Sequence, residues 1–199
     1  MRKAVFLAVG IVIVFAILAG VLLFWWAQQG QPVTYLSDFE SGLGEWIADA
    51  DVPEDPNRPG ESVAWKTELV SNESFSGSNS VLFYIDGSRD DGTIWIERKL
   101  SVEPNVARVV NVSFQLWSES ESFNAVAGVV GYVGETVPEV EEDFQVVGAA
   151  NEIGGWKTYS FSSELTSGSG DVYVALGISV RWETEMTYLI DDAMLTIGK

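Results

Sequence analysis

Hydrophobic and polar positions divide the chain into two regimes. Residues 4–27, AVFLAVGIVIVFAILAGVLLFWWA, run for 24 positions without a charge. At about 1.5 Å per residue, a helix of that length spans the roughly 30 Å hydrocarbon core of a bilayer. Past the polar stretch QQGQPVT the run gives way to alternation. VARVVNVSFQLWS puts Val110, Val112, Phe114 and Leu116 on one side and Asn111, Ser113, Gln115 and Trp117 on the other. DVYVALGISVRW does the same with Val174, Leu176, Ile178 and Val180 against Tyr173, Gly177, Ser179 and Arg181. Period-two patterning is the mark of a strand with one face in a core. SVLFYIDG, GTIWIERKLSV, NAVAGVVGYVG, DFQVVGAA, WKTYSFS and TYLIDDAMLTI read as further strands, separated by clusters of Gly, Ser, Asn, Asp and Pro that suit turns. No amphipathic helix of useful length follows Gln31. The pattern predicts an all-β domain, an antiparallel jelly-roll β-sandwich of about eight to ten strands, preceded by one transmembrane α-helix.

The expected organisation is a cytoplasmic stub and membrane helix over 1–27, a linker over 28–33 and the sandwich over 34–199. Arg2 and Lys3 precede the apolar run, which places the N-terminus in the cytoplasm and the C-terminal domain outside the cell. Trp25 and Trp26 stand where an interfacial aromatic belt would anchor the helix. A cleaved signal peptide is the alternative, but its apolar core is usually only about 7–15 residues. A cut after Ala27 would also set Trp25 where a small residue is needed. A pilin-type leader is disfavoured by the lack of an early glutamate in the apolar run.

Composition narrows the chemistry. The chain has no cysteine and no histidine, which removes disulfides, thiolate sites, the commonest general base and the usual zinc ligand. All 29 acidic residues lie from Asp38 onward against 9 of the 11 Lys and Arg, so this region carries 9 − 29 = −20. Such a surface does not suit nucleic acid. With no phosphate loop and no nucleophile elbow, the sequence reads as non-catalytic. EVEEDF at 139–144 and ADADVPEDPNRPGE at 48–61 read as solvated loops.

Four pieces carry a resemblance: DFESG followed by Trp46, SGSNSVLF at 76–83, GWKTYSFS at 155–162 and YLIDDAML at 188–195. In this order they resemble the galactose-binding-like jelly roll of many carbohydrate-binding modules and of adhesin-type cell-surface domains. DFESGLGEW also resembles the opening of MAM adhesion domains. The resemblance implies a first strand at DFESG meeting the last strand, with a structural calcium held there. Its ligands would be Glu40 and Asp191, assisted by Asp38 or Asp192 and by carbonyls near Ser76 to Asn79; calcium takes about 6–8 oxygens of this kind. The other reading leaves these carboxylates facing solvent on strand edges.

Two functions remain: a membrane-anchored extracellular module that binds carbohydrate or a cell-surface partner, and a structural subunit that assembles with copies of itself or with neighbours. For the first, an outward face with Trp117, Gln115, Tyr173, Arg181 and Trp182 would supply flat rings beside hydrogen-bonding groups. This requires the strands of Trp117 and Arg181 to be neighbours in one sheet. Sequons at Asn72 and Asn111 are compatible with a glycosylated extracellular domain.

Overall fold

Among the described residues, alternation is realised as eleven strands in two facing antiparallel sheets. The computed structural model describes residues 17–21 and 31–199. The expected membrane segment therefore lies mostly outside the described residues. Residues 17–21 are helical, and among the described residues no helix is long and apolar enough to cross a membrane.

In chain order the strands are β1 (Val33–Ser37), β2 (Ile47–Asp51), β3 (Trp65–Val70), β4 (Ser80–Ile85), β5 (Thr93–Ser101), β6 (Ala107–Ser118), β7 (Ala127–Gly134), β8 (Gln145–Ala149), β9 (Gly155–Thr166), β10 (Asp171–Val180) and β11 (Met186–Gly198). The first sheet runs β3-β4-β11-β6-β9, with β1 added on β11; the second runs β2-β5-β10-β7-β8. Val110, Val112, Phe114 and Leu116 of β6 face Val174, Leu176 and Ile178 of β10 across one core, all of them buried. Each buried aliphatic side chain of this kind is worth about 1.5–3 kcal/mol relative to exposure.

Both edge strands next to the β2–β3 loop escape the sequence reading. IADAD and WKTELV place charged residues on the outward side of the sheet edge, where water reaches them. The expected strand at DFESG is a turn instead: β1 ends at Ser37. Phe39 adopts φ 55° and Gly42 and Gly44 adopt φ 113° and 61°, which swings the chain from one sheet to the other while Phe39 itself is buried. Glu40 is thereby carried off the sheet edge toward the β3–β4 loop.

EVEEDF is more than a solvated loop. Residues 135–144 form a strap over the outer face of the second sheet, with a single 3-10 turn at Glu141–Asp143. The Phe144 ring packs 5.0 Å from Trp95 and 6.0 Å from Tyr132, centroid to centroid. Trp95 is fully buried as a result.

Candidate functional site

Topology separates the residues that the sequence suggested as one platform. Trp117 and Gln115 lie on β6 in the first sheet, and Tyr173 lies on β10 in the second, with Arg181 following it. The two strands are not neighbours, so their outward side chains point to opposite sides of the sandwich. The expected single face of Trp117 and Arg181 does not exist.

Each member has a different local role. Trp117 is half-buried and stands directly across from Trp156 on β9. Gln115 Oε1 accepts from Thr158 Oγ1 at 3.0 Å. Tyr173 receives Lys99 Nζ over its ring at 5.7 Å. Arg181 Nη1 donates to Glu141 Oε1 at 2.6 Å and so holds the strap down. Trp182, the remaining residue of the set, is 61% exposed on the β10–β11 loop.

Three loops meet at Trp182's end of the sandwich: β4–β5, β6–β7 and β10–β11. Val180 N–H donates to Gly92 O at 2.8 Å and Arg181 N–H to Val126 O at 3.0 Å, which fixes the three loop bases together. Between the first and third loops Trp182, Asp90 and Glu183 line a cavity of about 300 Å³. That lies at the small end of the range for ligand pockets, about 300–1,000 Å³. Neither Asp90 nor Glu183 has an ion-pair partner among the described residues. Phe123 on the β6–β7 loop is fully exposed. Asp90, Glu183 and Phe123 were not singled out from the sequence. The usable signal was an aromatic residue inside a polar turn, as in SESESFN and RWETE.

A second arrangement forms where the turn at Phe39 meets β11. The β-bulge between Asp191 and Met194 and the left-handed backbone of Asp192, φ 47°, project two neighbouring carboxylates toward the β3–β4 loop. Asp191 Oδ2 accepts from Phe75 N–H and Ser76 N–H at 2.9 and 3.1 Å, and Oδ1 from Asp192 N–H at 2.8 Å. Asp192 Oδ1 accepts from Ser76 Oγ at 2.9 Å. Glu40 Oε1 accepts from Ser78 N–H and Asn79 N–H, both at 2.8 Å. Asp38 turns away and accepts from Glu40 N–H at 3.2 Å. Gly77 makes room for the Glu40 carboxylate, which a Cβ there would meet at 2.5 Å. Asp191 is wholly buried, and burial raises its pKa against the opposing pull of those backbone donors.

For calcium these residues fit in part. Glu40, Asp191 and Asp192 all reach one loop, and among the described residues the buried Asp191 has no cationic partner. The loop nevertheless presents N–H groups to them rather than the expected carbonyls, and among the described residues no three acidic side chains gather as a metal-holding group.

The architecture has solved counterparts. The xylan-binding domain CBM22-1 of Paenibacillus barcinonensis Xyn10C aligns over 83% of this chain and 94% of its own, with TM-score 0.51 and 17% identity. The K3 cleaved adhesin domain of Lys-gingipain from Porphyromonas gingivalis W83 aligns over 83% and 99%, with TM-score 0.51 and 13% identity. A similar sandwich accounts for 20% of the enzymatically active domain of bacteriophage CBA120 tailspike protein 4, over 79% of this chain, with TM-score 0.48 and 9% identity. The chain has a jelly-roll β-sandwich fold. It shares that fold with carbohydrate-binding modules and with an adhesin domain, as the order of its four sequence pieces implied. No family model matches the sequence, and a search of curated proteins gives no match.

Proposed function

We propose that the protein is a non-catalytic module that binds carbohydrate at the loop end of its sandwich, and that its N-terminal segment anchors it in a membrane with the domain outside the cell. One observation carries the binding reading: Trp182 is held 61% exposed in a cavity that it shares with two carboxylates free of ion pairs. An indole face covers the apolar side of a pyranose ring, and carboxylate oxygens accept from its hydroxyls. On the second sheet the strap covers the part of the outer face around Trp95 and Tyr132. The likeness to a xylan-binding domain supports the ligand class without naming the sugar. Calcium belongs to the same reading as a structural ion at Glu40 and Asp191, with Asp192 beside them, countering a buried negative charge.

Affinity electrophoresis of the full-length chain in detergent, through gels containing xylan, mannan or β-1,4-galactan, tests the binding. At least one polysaccharide should retard the protein, and Trp182→Ala should remove the retardation without lowering Tm. Retardation that survives Trp182→Ala would move the site elsewhere.

A second reading, assembly with copies of itself or with a cell-surface protein, has its own support. Leu36 of β1 and Met194 of β11 are cross-strand partners on the outer face of the first sheet, 65% and 42% exposed. Sedimentation of the full-length chain should reveal an oligomer that Leu36→Asp disperses.

A further inference from the structure

The charge around Trp182 restricts which sugar the pocket can take. We infer that the loop-end pocket selects an ammonium-bearing glycan, an amino sugar with a free amine, over neutral and acidic ones; this rests on the carbohydrate-binding reading and deepens it. The loops at 86–92, 119–126 and 181–185 carry seven acids against two arginines, 2 − 7 = −5. Both arginines are engaged: Arg89 Nε donates to Glu54 O at 3.2 Å, and Arg181 is bound to Glu141. The acids of the cavity wall are not. Asp90 and Glu183 make no ion pair among the described residues, and they stand beside a ring left in water.

Two independent features thus call for the same ligand group. An exposed indole face attracts a cation through its quadrupole, and tryptophan does this best among the aromatics. Unpaired carboxylates next to it supply charge-assisted acceptors for an N–H donor. Elsewhere on the domain a lysine or arginine already occupies the face of an aromatic ring: Arg98 over Tyr35 at 4.9 Å, Lys99 over Tyr173 at 5.7 Å and Lys157 over Tyr159 at 4.6 Å. Among the described residues Trp182 has no such cation. The same field repels uronates and sulfated sugars.

Isothermal titration of the full-length chain in detergent with the hexamer of glucosamine, the hexamer of N-acetylglucosamine and polygalacturonate provides the test, at a pH that keeps the amine protonated. The glucosamine hexamer should bind roughly tenfold tighter than its acetylated form, polygalacturonate should not bind, and added salt should shrink the difference. Asp90→Asn with Glu183→Gln should bring the two hexamers within about twofold of each other. Glu68→Gln with Glu164→Gln, which removes equal charge from the first sheet, should leave the preference intact. Equal affinity for the two hexamers, or a preference that the loop variant preserves, overturns the inference while leaving carbohydrate binding standing. Absence of binding to any glycan overturns both.

Discussion

Arg181, just past the end of β10, and Glu141 in the strap over the second sheet meet at 2.6 Å, and this contact ties the strap to the sheet. Glu141 Oε2 also accepts from Thr93 Oγ1 at 3.0 Å, and its backbone N–H donates to Asp51 Oδ2 at 3.0 Å. One residue therefore fastens the strap to β2, β5 and β10. Burial pushes the Glu141 carboxyl up, but hydrogen bonds from Arg181 and Thr93 outweigh it and leave the pKa lowered. A lowered folded pKa stabilises above the unfolded value, and the contribution is lost as pH falls through the folded value. Glu141→Gln should cost about 1 kcal/mol at pH 7, and melting curves of variant and parent should converge in acid. A difference independent of pH would mean that the ion pair does not hold the strap.

Asp191 titrates in the opposite sense. Burial raises its pKa above 3.8, so without a cation the group favours the fold at low pH, and that contribution is lost as pH rises through the raised value. Calcium would reverse this by stabilising the ionised form. A ligand that binds only the folded state adds about 2.7 kcal/mol at 100 times Kd. Added calcium should raise Tm at neutral pH, chelator should lower it, and Asp191→Asn should abolish the difference. Identical melting curves with calcium and with chelator would leave Glu40 and Asp191 as partners of the backbone N–H groups alone.

Trp117 was the residue on which the sequence placed most of the binding, and its neighbours give it structural work. It stands across from Trp156, whose Nε1–H donates to Glu73 Oε1 at 2.8 Å and whose ring meets Phe75 edge-on at 5.8 Å. This aromatic group pins the β3–β4 loop on the first sheet, next to Asp191. Trp117→Ala should therefore lower stability by about 1–3 kcal/mol while leaving retention by polysaccharide unchanged. Lost retention at unchanged Tm would return the site to β6.

The contrast shows which parts of the fold and site were legible. The inward faces of β6 and β10 could be read because Val110 to Leu116 and Val174 to Val180 alternate with polar neighbours, and alternation reports the faces of a strand directly. It does not report which sheet a strand joins, since both sheets of a sandwich impose the same period. Ser179 looked solvent-facing for that reason, yet it is buried under a strap some 40 positions earlier in sequence. The family resemblance pairs Glu40 with Asp191, and both reach the β3–β4 loop. Trp182 was visible as a tryptophan in a polar turn. Asp90 could not be joined to it, because contact between two loops 92 positions apart depends on the strand pairing.

Gly87 makes that loop contact explicit. It adopts φ 63°, a region that L side chains enter at a cost, and a Cβ there would lie 1.8 Å from the Thr184 carbonyl oxygen. The β4–β5 loop thus rests directly on the backbone two residues beyond Trp182, and only glycine allows the approach. Gly87→Ala must either strain the turn or push the β10–β11 loop away, at about 1–3 kcal/mol. Because the displaced segment carries Trp182 and Glu183 while Asp90 stays on the other loop, the cavity should open and affinity for polysaccharide should fall. Retention in the affinity gel should drop at temperatures where circular dichroism still reports an intact sandwich. A folded Gly87→Ala protein that binds as the parent does would mean that Trp182 acts without Asp90, and the pocket would reduce to a single exposed ring.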